Sequence, residues 1–276
     1  MVTARAFATD RAHLDGAKEA FDKDGYLVIR GLIDRAEIDA LCEHFMQLHA
    51  GGPIPGCFNP VPAEEAGGDV LKVYPRMMHP HRVSEMAMRY MLDERILDVL
   101  AVLFGEEPMA AQSMFYFKPP GARGQALHQD NFYLKADPGT CIAAWVAVDR
   151  ADRENGGLVV VPGSQGMEIV CPEQADPAES FTTHLVRVPP GLEEVGIDLD
   201  PGDVLFFNGS VIHGSYPNRS RDRFRRSFIC HYVGVSCTQI ARYYNPLYLR
   251  DGTSLTLAEN PDGGPCGQEF APKGPH

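Results

Sequence analysis

The period of the apolar positions divides the chain in two. Over roughly the first hundred residues they recur at helical spacing. Asp10 is placed to cap a helix through Leu14, Ala17, Ala20 and Phe21, and Asp34 to cap another carrying Ile38, Leu41, Phe45 and Leu48. Between them Asp24-Gly25 turns into a short β run at 26–29. A further helical stretch covers about 83–104, with Met86, Tyr90, Ile96, Leu97 and Leu100, and Gly105 is placed to end it. The Gly- and Pro-rich segment 51–68 predicts a long loop, of the kind that often carries function in a compact domain. Beyond about residue 109 the pattern changes to short alternating or continuous apolar runs at 111–117, 141–148, 158–161, 203–207, 211–213 and 226–233. Turn sequences such as Asn155-Gly156-Gly157 and Pro201-Gly202 separate them. Helices first and many short strands afterwards predict a mainly β fold, an antiparallel sandwich or barrel with α-helices packed on one side.

Length adds that 276 residues suit a single domain: a helical part at about 10–105, a β core at about 109–235 and an irregular tail at about 238–276. A net charge of −12 argues against a nucleic-acid partner, which calls for a basic face. No window is long and apolar enough to predict a membrane span. The seven cysteines are scattered without C-x-x-C, and residues 1–5 lack the apolar stretch of a secretory leader. Reduced thiols and a cytoplasmic location are therefore expected. Oligomeric state leaves no mark on the sequence.

The chemistry concentrates at His128-Gln129-Asp130. On a strand, side chains two apart share a face, so an imidazole and a carboxylate would point the same way. His213, on a distant apolar run, could add a second imidazole. Two His and one carboxylate on one side of a metal, with the other positions open, is the pattern of non-haem Fe(II) oxygenases. Such a set also suits catalytic zinc, and hence a hydrolase. Short H-x-D and H-x-H pairs, the latter at His79 and His81, arise by chance as well. Twelve residues beyond His213, after the turn Tyr216-Pro217-Asn218, stands Arg225, whose guanidinium could hold a carboxylate in two parallel hydrogen bonds. Alternation lets only one of Arg225 and Arg226 point inward. Lys72, Tyr74, Arg76 and Arg82 suggest a polar or anionic small-molecule substrate, selected by the loop 51–82, the strand residues Gln112 and Phe115 to Phe117, and the insert 165–200, with the tail after Cys237 as a further contributor.

Three stretches together resemble the phytanoyl-CoA dioxygenase (PhyH) family: Leu127-His-Gln-Asp-Asn131, Asn155 through Ser164, and His213-Gly-Ser215 followed by Phe224-Arg-Arg226. The similarity runs from about Gly25 to Val233 in the family's order. It implies a double-stranded β-helix (a cupin-like jelly roll) that uses Fe(II), 2-oxoglutarate and O2. His128, Asp130 and His213 match the iron ligands and Arg225 the 2-oxoglutarate anchor, although its spacing from His213 is one residue longer than expected. Ser215, Lys118, Trp145 and Gln125 match positions that contact the cosubstrate in some members. Their plain readings are turn serine, surface lysine, core tryptophan and loop amide. The implied reaction oxidises an unactivated C–H bond and releases succinate and CO2. A carboxylate at Asp130, where halogenating relatives have a small residue, implies hydroxylation or a related oxidation. A non-catalytic binder that kept the barrel is the remaining alternative.

Overall fold

The computed structural model describes residues 6–7, 16–261 and 266. In chain order the core strands are β1 (Tyr26–Ile29), β2 (Pro108–Tyr116), β3 (Gln125–His128), β4 (Ile142–Ala147), β5 (Leu158–Val160), β6 (Val195–Ile197), β7 (Val204–Asn208), β8 (His213–Ser215) and β9 (Ser227–Gly234). The larger sheet runs β1-β7-β4-β9-β2, and the smaller runs β6-β5-β8-β3. Every pairing among these strands is antiparallel. Two facing antiparallel sheets with this order form the expected double-stranded β-helix.

The large sheet is buried on both faces, so its strands are nearly continuous in apolar residues. One face (Leu27, Ile29, Ile142, Ala144, Val146, Phe206, Phe228) packs on the helices α1 (Ala17–Asp24), α2 (Arg35–Ala50), α3 (Glu85–Met91) and α4 (Glu94–Phe104). Phe45 of α2 stacks on Phe115, with centroids 4.0 Å apart. Truncating so deeply buried a phenylalanine to alanine costs about 3–5 kcal/mol. The alternate residues Tyr26, Val28, Trp145, Leu205, Phe207 and Ile229 turn inward to meet Leu158, Val160 and Ile197 of the small sheet. Strand alternation therefore separates a structural layer from a chemical interior.

Several expectations change here. Asp10 lies outside the described residues, and α1 begins after Gly16. Asp34 occupies the position before α2 without a side-chain cap bond. The stretch 83–104 is two helices, because Asp93 caps the second by accepting from Arg95 N at 3.0 Å. The tail is less irregular than expected: Leu247–Tyr248 and Ser254–Leu255 extend the large sheet, and Gln239–Ile240 pairs with Ala258–Glu259. Cys171 and Cys266, 95 residues apart, form a disulfide, while Cys42, Cys57, Cys141, Cys230 and Cys237 are free. Sequence spacing carries no record of which cysteines meet in space.

Candidate metal centre

His128 ends β3, His213 opens β8, and the two are cross-strand partners with ring centroids 4.2 Å apart. In each ring Nδ1 lies on a backbone carbonyl, Ala126 O at 2.9 Å and Val211 O at 3.0 Å. A carbonyl only accepts, so Nδ1 carries the proton and Nε2 keeps its lone pair. Gly214 lets the strands approach this closely: a Cβ there would stand 2.7 Å from Gln125 O.

Asp130 reaches the same point by a different route from the one expected. β3 stops at His128, and Asp130 is already helical, leading the single turn α5 (Asn131–Leu134). Its carbonyl accepts from Tyr133 N and Leu134 N at 2.9 and 3.1 Å. The carboxylate Oδ1 still lies 3.3 Å from His128 Nε2 and 3.5 Å from His213 Nε2. Ligands about 2.1 Å from one ion and at right angles stand about 3 Å apart, so these three atoms fit a shared metal. They form a buried cluster of candidate ligands whose atoms all lie within 4.8 Å of one another. Burial pushes the Asp130 carboxyl up, but His213, His231 and the hydrogen bond that His231 donates outweigh it and hold it well below its ordinary value. Burial lowers His213 to about 4, against the pull of Asp130, so this ring is neutral at pH 7. A free imidazole takes up a proton near pH 6.5 and then no longer binds metal; burial moves that competition at His213 down to about 4.

The other end of the cavity is cationic. Arg225 is 2 % exposed; its Nε donates to Gly156 O and its Nη1 to Ser227 Oγ, both at 2.9 Å. The guanidinium lies 5.3 Å from the Trp145 ring. Arg226 points the opposite way, in a two-pronged pair with Asp149 at 2.8 Å. The structure thus separates two neighbours that the sequence left open, as alternation requires. Lys118 is 3 % exposed, not on the surface, and donates to Ser215 Oγ at 2.8 Å. Burial, with Arg225 nearby, lowers Lys118 well below the usual lysine range, and burial lowers Arg225 to about 10. Among the described residues neither cation has a carboxylate within ion-pair distance. Gln125, at the start of β3, sets its Nε2 3.3 Å from His128 Nε2, and Trp145 walls the cavity beside Leu158, Phe207 and Ile229.

Sequence reasoning missed His231, whose buried Nε2 donates to Asp130 Oδ2 at 2.9 Å. Even spacing from Arg225 along one strand was the available signal: 225, 227, 229 and 231 all face inward. It also missed Asn218, whose Nδ2 donates to Lys118 O and Arg223 O and fixes the loop between β8 and β9. His79 and His81 are buried but are not drawn into the cluster. Phe115, expected near the substrate, faces the helices, whereas Tyr116 faces the cavity.

Known proteins give this geometry a context. The profile of the phytanoyl-CoA dioxygenase (PhyH) family matches residues 21–227. The "Probable phytanoyl-CoA dioxygenase" of Caenorhabditis elegans is 27% identical over 267 residues, covering 87% of this chain and 79% of that protein. The peroxisomal phytanoyl-CoA dioxygenase of Rattus norvegicus is 26% identical over 239 residues, covering 81% and 69%. Among solved structures, the epimerase SnoN in complex with Fe3+, alpha ketoglutarate and nogalamycin RO superposes with a TM-score of 0.66 at 23% identity, over 83% of this chain and 86% of that one. EctD from S. alaskensis with bound Fe also gives 0.66 at 23% identity, over 92% and 89%. These two likenesses are of fold. The family profile spans most of the sequence, the motif-bearing strands included, and the chain belongs to the phytanoyl-CoA dioxygenase family.

Proposed function

We propose that this protein is an Fe(II)- and 2-oxoglutarate-dependent dioxygenase that oxidises an unactivated C–H bond of a small molecule, with His128, Asp130 and His213 as metal ligands. The observation that carries the reading is that the cavity lined by Asp130 and His213 is also lined by buried Arg225, with buried Lys118 bonded to Ser215 on its wall, and that among the described residues neither Arg225 nor Lys118 has a carboxylate partner. A buried unpaired charge is costly, and a dicarboxylate would supply what Arg225 and Lys118 lack. Bound there, Fe(II) and 2-oxoglutarate supply the activation of O2 and the release of succinate and CO2 that accompany substrate oxidation.

The chain's own residues bind and orient. His128 and His213 present Nε2 because their Nδ1 protons are held by Ala126 O and Val211 O. His231 fixes the Asp130 carboxylate from behind, as a second-layer partner does in metal sites. Gly156 O and Ser227 Oγ hold the Arg225 fork, and the bond to Ser215 directs the Lys118 ammonium. Trp145, Phe207, Leu158 and Ile229 exclude water, which strengthens each of these electrostatic contacts. A single domain over 1–276 and a cytoplasmic location belong to the same proposal.

The test is O2-dependent succinate formation from 2-oxoglutarate by protein reconstituted with Fe(II), measured with and without Arg225→Ala. The reading expects turnover that needs iron and falls at least a hundredfold in the variant. A zinc hydrolase would have no use for the anchor, so activity that survives Arg225→Ala and follows zinc would overturn it.

A further inference from the structure

Between the loop 69–76 and the insert 165–200 lies a cleft of about 320 Å³ that shares Tyr116 with the cavity just described and Lys118 with its cationic end. Its walls are the rings of Tyr74, Tyr116 and Phe181. Arg76 stands among them, half-buried: Nη1 donates to Tyr116 Oη at 3.0 Å, and the guanidinium lies 5.9 Å from the Tyr116 ring and 5.9 Å from the Phe181 ring. The other cleft arginine is already engaged, Arg123 with Asp69 Oδ2 at 2.8 Å and Pro177 O at 3.0 Å. Arg82, the other arginine of the segment 51–82, turns away to the carbonyls of Tyr243 and Asn245. Arg76 has no carboxylate partner among the described residues, and neither has the exposed Lys72 at the rim. In a chain of net charge −12 this cleft carries four cationic side chains and one carboxylate. It adjoins the cavity of the metal cluster through Tyr116, which lines both.

We propose that the cleft receives the oxidised substrate and that Arg76 binds an oxyanion on it, a carboxylate or a phosphate, while the rings hold its apolar body. The inference rests on the oxygenase reading above and names the substrate class of that site. One face of the Arg76 fork is spent on Tyr116; the free N–H groups can still form charge-assisted bonds to an anion, and the two rings keep the fork from swinging out. Lys72 at the rim would attract the same charge by long-range steering. The substrate class is therefore a compact organic acid or phosphate ester whose reacting C–H bond lies some way from the anion.

The experiment uses Fe(II)-loaded protein and a panel of aryl and alkyl carboxylates and phosphates, each paired with its neutral amide or alcohol. Succinate release above the rate without added compound is the readout. The 2-oxoglutarate charge-transfer band of the wild-type protein is recorded first. If that band is missing, the oxygenase reading falls; if it is present, the panel tests this inference alone. Stimulation is expected from anionic members and not from their neutral partners. Arg76→Gln should raise KM for the stimulating compounds roughly tenfold to a hundredfold, the scale of one lost charge-assisted bond. Arg76→Lys, which keeps the charge and loses the fork, should show a smaller rise and confirm that the cleft still folds. Equal stimulation by the neutral partners, an unchanged KM in Arg76→Gln, or no stimulation by any anion would overturn the proposal.

Discussion

The two ends of the cavity are completed in opposite ways. At the metal end the chain supplies everything except the ion: both imidazoles are oriented through Nδ1, and the carboxylate is braced by His231. At the cationic end the chain supplies donors and withholds the acceptor. Arg225 and Lys118 are buried and held by neutral oxygens from Gly156, Ser227 and Ser215. The first end is preorganised for an ion. On the proposed reading a dicarboxylate completes the second, so the same chain would build one site for affinity and the other for demand.

Substitutions at the two ends should separate these roles. The largest effect is expected at Asp130: Asp130→Ala removes the charged ligand, and bound iron by elemental analysis and succinate formation should both fall at least about a thousandfold. Arg225→Met should weaken 2-oxoglutarate binding by about 2–5 kcal/mol, while the ligand-free protein unfolds within about 1 kcal/mol of wild type because an unpaired buried charge is gone. A large loss of ligand-free stability would show instead that the cationic end is a structural brace. His231→Gln should cost roughly tenfold to a hundredfold in iron affinity and leave 2-oxoglutarate affinity unchanged.

Acid acts on the buried histidines that lie outside the cluster. Burial lowers His79 and His81 to about 3, so the unfolded chain takes up protons first as pH falls. Their contribution is complete above about 6.5 and declines from there towards 3; each histidine should cost about 1.4 kcal/mol by pH 5.5, read from denaturant unfolding at a series of pH values. The smallest effect is expected at Arg226, whose pair with Asp149 is partly exposed: Arg226→Ala should cost about 1 kcal/mol or less and leave 2-oxoglutarate binding untouched.

Much of this was legible in the sequence because two periods carry it. Helical spacing located Ile38, Leu41 and Phe45, and strand alternation allowed only one of Arg225 and Arg226 to face inward; the continuous apolar run 141–148 named a buried strand, and the inner face of Trp145 came only with the structure. The pattern failed where geometry is set across space. Asp130 converges on His128 from a helical turn, so alternation gave the right pair for the wrong reason. His231 reaches Asp130 from a strand 101 positions away, and the Cys171–Cys266 link spans 95. Asn218 looks like any turn asparagine until its bond to Lys118 O is seen.

The central claim is tested most directly by titrating 2-oxoglutarate, without oxygen, into wild-type protein and Arg225→Ala, each carrying one Fe(II). The account predicts a visible charge-transfer band that saturates in the wild type and requires far more 2-oxoglutarate in the variant. Iron held in both proteins with no band in either, or an identical titration in the two, would contradict it.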